Sequence, residues 1–509
     1  MVERIMAQQA CLALVATLLI FSLASVGKRK RSKTKKVQFR LDDDKPLSKE
    51  KKSVTMMHAL GISMARLSAL PRRTPSNNFS SEEYDKKTDL FHEGRNQGGK
   101  LVVIMVGLPG RGKSYMARKV ARYLNWINYA TRVFNIGNYR RKLLGADHDA
   151  TFFDPENPLG KQQRMQLAEA AMDDMLNYLY NEGEVAIYDG TNSTLERRLW
   201  IQDRVSQSDG FRLLFIESIC EDERIIERNI IDTKLRSPDY KTATPEQAVA
   251  DFRARIEMYR KNYEALGAAD EIFSYVKVID AGTKLIMNRI HGYLPMKILS
   301  FISNLHIVPR PIYLACHGES DNDITNRLGG DSELTARGVA FSQLLGKFVA
   351  KNVSNDLVLW YSTSKCARES VKFISSETRV QWRALRGLEA GMYTHMTKRE
   401  FAQDHPEEHR LRTDNPLWYR YPLGESYVDV VSRLEPVIFE LERSRTPVVI
   451  VAHREVVQCL YAYFLDLPTL EIPQVDVELH QVIELHTTAY ECLETRHDLL
   501  EAEDDDYED

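Results

Sequence analysis

The chain has 509 residues, 43% hydrophobic and 28% charged, which fits folded globular protein and excludes wholesale disorder. At ~150 residues per domain, the length points to two or three domains. Lys plus Arg (69) against Asp plus Glu (72) leaves a formal charge of −3. No chain-wide field therefore favours nucleic acid, no nucleic-acid partner is expected, and phosphate recognition has to come from local sites. Cys11, Cys220, Cys316, Cys366, Cys459 and Cys492 are scattered with no CxxC pair. That spacing argues against a disulfide scaffold or a zinc ribbon and fits a reducing compartment.

Ala10–Val26 is a nearly unbroken apolar run of 17 residues. It lies at the short end for a membrane-spanning helix and is long for a signal-peptide core. Seven basic residues in Lys28–Lys36 follow the run. A cleaved secretory signal, which carries its charge in front, fits poorly. A membrane anchor that leaves the bulk of the chain in the cytosol, or an unstructured N-terminal extension, fits better. The basic run also suits a nuclear address or a lipid surface. Residues 37–99 read as a polar linker with one short helix near Met56–Leu70, and Arg72-Arg73-Thr74 resembles a site for a basic-directed kinase. At the other end, Glu501–Asp509 holds seven acidic residues in nine and reads as a solvated tail, assigned here to 491–509.

Leu101–Val106 (LVVIMV) has the continuous apolar pattern of a buried parallel strand. Gly107-Leu108-Pro109-Gly110-Arg111-Gly112-Lys113-Ser114 follows at once and matches GxxxxGK[ST]. A helical stretch with Met116, Val120 and Leu124 at i, i+4, i+8 comes next. Strand, loop and helix in this order predict a phosphate cradle of backbone N–H groups. Lys113 is then expected to reach the β- and γ-phosphates, and Ser114 to hold Mg²⁺. A second strand, Val185–Tyr188, ends at Asp189, placing an acidic group where a metal-bound nucleotide needs one.

GLPGRGKSY, NYRR, YDGTNSTLERR, FIESIC and KLRSPDY, in this order, resemble the kinase half of the 6-phosphofructo-2-kinase/fructose-2,6-bisphosphatase family. The resemblance implies transfer of the γ-phosphate of ATP to the 2-hydroxyl of fructose 6-phosphate. Lys113, Asp189, Cys220 and Lys234 match catalytic or site-adjacent positions. Residues Gly107 to Tyr115 together with Asn229 and Lys234 match the ATP contacts. Arg140, Arg164, Thr191, Arg197, Lys234, Arg255 and Tyr259 match the sugar-phosphate contacts. The family also implies a homodimer.

Pro311–Ala315 reads as a third buried strand, ending in Cys316-His317-Gly318-Glu319, and Val448–Val451 as a fourth, ending in Ala452-His453. GGDSELTARG, YRYPLGESY and CLYAYFLD resemble the bisphosphatase half of the same family. The implied fold is α/β throughout: a P-loop kinase-like domain over residues 100–308, then a histidine-phosphatase (phosphoglycerate-mutase-like) domain over 309–490. His317 is the implied nucleophile and His453 its partner, and Asp323, Arg327, Gly329, Arg412, Tyr427 and Arg454 fall on bisphosphate-contacting positions. The chemistry there needs arginines to neutralise the transferring oxygens and an acid to protonate the leaving oxygen. Cys316, Cys366 and Gly387 stand where the family pattern has Arg, Arg and Glu, so weak or absent phosphatase activity is expected. Lys398, Pro416 and Gln458 likewise replace Tyr, Lys and Arg. Two rivals remain: a balanced bifunctional enzyme in which Glu389 or Glu319 supplies the acid and Arg454 part of the clamp, and a membrane-tethered, non-enzymatic binding protein.

Overall fold

The computed structural model describes residues 99–500, except 146–147, 209, 235–237, 241–243, 306–308 and 488–491. The apolar run 10–26, the linker with its expected helix, Thr74 and the acidic residues 501–509 lie outside the described residues. Among the described residues, no helix is long and apolar enough to cross a membrane.

The first half runs β1 (Lys100–Val106), α1 (Lys113–Trp126), β2 (Thr131–Asn135), α2 (Ile136–Leu144), α3 (Pro158–Asn181), β3 (Val185–Asp189) and α4 (Leu195–Ser206). It continues through β4 (Phe211–Ile219), α5 (Glu223–Lys234), α6 (Pro245–Arg260), β5 (Tyr275–Ile279), β6 (Lys284–Asn288) and α7 (Tyr293–Ile302). The sheet order is β2-β3-β1-β4-β5-β6, parallel except for the antiparallel β6 edge. Helices cover both faces of the central strands, which is why β1 and β3 are apolar without alternation and almost wholly buried. Capping sets the helix starts. Asn157 caps α3 with Pro158 at its first position, and Thr244 and Gln247 form a reciprocal box before α6.

The second half runs β7 (Pro311–Cys316), α8 (Asp321–Ile324), α9 (Ala336–Asn352), β8 (Val358–Ser362), α10 (Lys365–Ser370) and β9 (Thr378–Trp382). Then come α11 (Lys398–Asp404), α12 (Pro406–Asp414), α13 (Tyr427–Arg443), β10 (Val448–Ala452), α14 (Arg454–Leu465), β11 (Gln481–Thr487) and β12 (Cys492–Asp498). Its sheet order is β12-β11-β7-β10-β8-β9. β12 pairs antiparallel with β11 from Cys492 to Asp498. The sheet therefore extends past the expected boundary at 490 and takes up the first part of the segment assigned to the tail. Charged residues in CLETRHD hide this strand, because an edge strand keeps much of its surface in water.

One apolar cluster runs through both halves, joining Met116, Val120 and Leu124 of α1 to Leu434, Ile438, Leu460 and Tyr463 of α13 and α14. Tyr123 stacks on Phe301 of α7 at 4.4 Å between centroids and 4° between planes. Trp126 Nε1 donates to the Cys459 carbonyl at 2.9 Å, and Lys119 Nζ reaches both Glu442 carboxylate oxygens at 2.8 and 2.9 Å.

Candidate active sites

In the first half, the phosphate loop fills the gap between the end of β1 and the start of α1. Gly107 has φ 131° and Gly112, the residue before α1, has φ 79°, both in the region that favours glycine. A Cβ on Gly107 would lie 2.5 Å from the Ser218 carbonyl oxygen, whereas one on Gly112 would meet nothing within 4 Å. The loop is thus packed tightly at its base and open at its mouth. Lys113 is 7% exposed, and its ammonium donates to the Leu108 carbonyl at 2.7 Å. Arg111 donates to Pro109 O within the loop, and Asn229 of α5 donates to Gly110 O at 3.1 Å from outside it.

Parallel pairing of β1 with β3 brings their carboxyl ends together, where ligands of such sheets sit. Gly107 N donates to Thr191 O at 2.9 Å, and Asn192 Nδ2 donates to Met105 O at 2.8 Å, joining the two loops. Asp189 is 2% exposed. Asn135 Nδ2 donates to one of its oxygens and lies 3.5 Å from Ser114 Oγ. The other oxygen, Oδ1, is buried with no hydrogen-bond partner. A buried carboxylate oxygen left unpaired, on a residue that shares Asn135 with the Ser114 hydroxyl, suits a hard divalent cation. Asn135, which caps α2, was not legible as a site residue; its only sequence signal is a polar residue at a strand end.

Beyond Asp189 lie four arginines from four helices: Arg140 (α2), Arg164 (α3), Arg197 (α4) and Arg255 (α6). Arg140 and Arg255 are buried and both face Asp239, Arg140 at 2.5 Å and Arg255 at 3.6 Å. Arg140 keeps one buried Nη1 without a hydrogen-bond partner. Arg255 also bonds Asp251 and the His148 carbonyl and lies over Phe153 at 4.9 Å. Arg164 holds the Phe152 and Asp154 carbonyls, and Arg197 lies over Trp200. Burial holds the Arg164 and Arg197 guanidiniums below their usual range. Tyr259 shares a hydrogen bond with Thr191, and burial pushes its hydroxyl up. Arg140, Arg164 and Arg255 thus surround Tyr259, which is bonded to the loop that carries Asp189. Asp239, the carboxylate on which the forks converge, was not singled out in the sequence.

Cys220 sits just past β4 in a small apolar cluster with Ile226, Tyr240, Phe252 and Ile256, and burial pushes its thiol up. This describes a packed thiol beside the loop and no nucleophile. Lys234 ends α5, and its side chain lies outside the described residues.

In the second half, register builds the site. Cys316 of β7 pairs with Ala452 of β10, so the next residues, His317 and His453, emerge side by side. Their ring centroids are 4.7 Å apart at 68°, and His317 Nδ1 faces the Gly318 carbonyl at 2.8 Å. His453 Nε2 meets the Ser362 and Ser364 hydroxyls at 3.2 and 3.0 Å. Burial first, then His317, Arg433 and Arg386, hold the His453 imidazole well below its ordinary value.

Cys316, Cys366 and Gly387, where the family resemblance implies Arg, Arg and Glu, lie at this centre. Cys316 is buried, and burial pushes its thiol up to about 12. Burial and Asp331 raise the Cys366 thiol further. A Cβ on Gly387 would lie 3.1 Å from His453 Nδ1, so the position expected to carry the acid does face the imidazole pair. Among the described residues, no guanidinium hydrogen-bonds to His317. Arg433 is spent on Glu425 and on the Arg386 and Gly387 carbonyls, and Arg386 pairs with Glu389 at 3.5 Å. Glu319 accepts from Thr335 at 2.8 Å.

The remaining candidates are engaged nearby. Asp323 Oδ2 accepts from Ser320 and lies 4.0 Å from His317 Nδ1. Arg327 donates to the His395 carbonyl at 2.6 Å, and Arg412 lies over Tyr421. Tyr427 donates to Gln458 at 2.7 Å, while Arg454 is exposed at the start of α14. Gly329 takes φ 59° and accepts from Asn322. Ser362 and Ser364 were missed because hydroxyls in a YSTS run carry no spacing signal.

Residues 89–309 match the pattern of 6-phosphofructo-2-kinase, and 312–498 that of the histidine phosphatase superfamily, branch 1. A 6-phosphofructo-2-kinase/fructose-2,6-bisphosphatase of Gallus gallus is 44% identical over 393 residues, spanning 77% of this chain and 83% of that protein. The 6-phosphofructo-2-kinase/fructose-2,6-bisphosphatase 3 of Homo sapiens is 41% identical over 406 residues, 78% of each chain. An Arabidopsis thaliana relative of the same description is 41% identical over 416 residues, 80% of this chain and 55% of that one. With a P-loop half and a paired-histidine half joined through one core, this chain belongs to the 6-phosphofructo-2-kinase/fructose-2,6-bisphosphatase family.

Proposed function

We propose that the chain phosphorylates the 2-hydroxyl of fructose 6-phosphate with ATP, making fructose 2,6-bisphosphate, and that its second half hydrolyses that product weakly or not at all. The observation that carries the first part is the shared loop Asp189–Asn192. It is tied to Gly107 on one side and to Tyr259 on the other, so the phosphate loop and the arginine cluster meet at one segment.

In-line phosphoryl transfer asks a protein mainly for position and charge. The loop N–H groups and the α1 N-terminus receive the nucleotide phosphates, and Lys113 turns from the Leu108 carbonyl to the γ-phosphate. Ser114 and Asp189, through its unpaired Oδ1, are the residues to hold Mg²⁺, which when bound offsets charge on the phosphate oxygens. Arg140, Arg164, Arg197 and Arg255 clamp the acceptor's 6-phosphate in forks that a lysine cannot copy. Tyr259 and Thr191 orient the sugar.

For the second half, replacing two charge-assisted contacts costs ~3–6 kcal/mol at ~1.5–3 kcal/mol each, or roughly 10² to 10⁴ in rate. The intact His317–His453 pair favours the alternative, a balanced bifunctional enzyme. A paired assay of purified protein in both directions decides. Synthesis that vanishes in Lys113→Met, with no phosphohistidine from labelled fructose 2,6-bisphosphate, is the expected result. Undiminished synthesis by Lys113→Met overturns the kinase reading, and stoichiometric labelling of His317 overturns the weak-phosphatase reading.

A further inference from the structure

Cys366 does more than vacate an arginine's position. One ring nitrogen of His317, one of His453 and the Cys366 sulfur all lie within 4.8 Å of one another. The three side chains come from three different elements, the ends of β7 and β10 and the first turn of α10. Strand register and the helix start therefore fix their meeting, with no flexible loop needed. His317 is 8% exposed and Cys366 3%.

We propose that His317, Cys366 and His453 form a three-ligand Zn²⁺ site with the fourth position open to water or to a phosphate oxygen. One thiolate and two imidazoles are a ligand set that suits zinc, whereas Mg²⁺ and Ca²⁺ take oxygen ligands. Tetrahedral zinc with bonds of about 2.0–2.3 Å needs its ligand atoms roughly 3.5 Å apart. The present spacing, at most 4.8 Å, exceeds that by about 1 Å. The surrounding groups already do what supporting groups do at such sites. The Gly318 carbonyl takes the Nδ1 side of His317, fixing Nε2 as the lone-pair nitrogen, and Asp323 stands 4.0 Å from that same Nδ1.

The chemistry balances without any oxidant or reductant. The Cys366 thiol gives its proton to solvent as the sulfur–zinc bond forms, and both imidazoles bind through lone pairs. The outcome also has an electrostatic logic. Where the family resemblance implies arginines at 316 and 366, this chain carries thiols and so two fewer positive charges. A divalent ion on one thiolate returns a net single charge beside the same two histidines. While zinc is bound, the His317 lone pair is engaged and no longer available for attack on phosphorus. The inference is independent of the kinase reading, because its ligands all belong to the second half.

The test uses the full chain, with any affinity tag removed, stripped by a chelator and then dialysed against Zn²⁺ or Co²⁺. One equivalent of zinc is expected, with a thiolate-to-cobalt charge-transfer band in the Co²⁺ form. Cys366→Ala should lower bound metal at least tenfold while ATP-dependent synthesis, measured on the same preparation, is unchanged. Cys492→Ser should keep both. X-ray absorption at the zinc edge of the unaltered protein should show one sulfur near 2.3 Å and nitrogens near 2.0–2.1 Å. This reading needs no variant to fold. Less than a tenth of an equivalent in the unaltered protein, equal metal in Cys366→Ala, or an edge spectrum without sulfur overturns the proposal.

Discussion

Lys119 and Glu442, 323 residues apart, meet at 2.8 Å in the seam between the two halves, at 9% and 1% side-chain exposure. Arg122 at 3.2 Å and the Tyr463 hydroxyl at 2.6 Å share the same carboxylate. Burial alone would raise the Glu442 carboxyl, yet Lys119 and Arg122 hold it down to about 2, against an ordinary 4.5.

Glu442→Gln should therefore destabilise the protein by ~3–5 kcal/mol, because it leaves two buried cations without their counter-charge. Urea unfolding of both proteins measures this. The folded value of Glu442 lies below its unfolded value. Its stabilisation is thus complete above pH 4.5 and is lost as pH falls through about 2. The variant should show a correspondingly flatter loss of stability in acid.

The neighbours Arg197 and Arg198 should behave in opposite ways. Arg198 is 1% exposed and bidentate to Asp270, at 2.7 and 3.1 Å. Arg198→Ala should cost ~3–5 kcal/mol in thermal or urea unfolding by stranding Asp270. Arg197→Ala should leave stability within about 1 kcal/mol and instead raise the KM for fructose 6-phosphate at least tenfold.

His453 should remain neutral across physiological pH. Its folded value lies well below 6.5, so the unfolded chain binds the extra proton first, and stability falls as pH drops below 6.5. Ring ¹⁵N spectra should show no protonation of His453 between about pH 6 and 8. A normal titration curve would contradict the burial of this ring.

Rebuilding the hydrolytic parts should need all three together. Gly387→Glu alone, facing His453 Nδ1, should change fructose 2,6-bisphosphate hydrolysis little, since an acid without phosphate clamps leaves the transition-state charge uncompensated. Cys316→Arg, Cys366→Arg and Gly387→Glu combined should raise it by ~10² to 10⁴ and produce phosphohistidine at His317. Rapid-quench labelling reads both.

The local chemistry was legible in the order of residues. A continuous apolar strand, a glycine turn and GKS can fold in few ways, and their contacts span only a dozen positions, so β1, the loop and α1 follow from the sequence. Asp189, His317 and His453 were likewise readable as residues at strand ends. What each of them touches was settled by pairing over long range. The register of Cys316 with Ala452 sets the histidines side by side, and the parallel β8 on the other edge of β10 brings Ser362, Ser364 and Cys366 to them. The same holds for two adjacent arginines, one in the arginine cluster and one in a buried ion pair. It holds also for the Lys119–Glu442 seam, whose two residues lie 323 positions apart. Periodicity and propensity act over one or two helical turns, whereas burial and charge compensation are fixed only when distant segments come together.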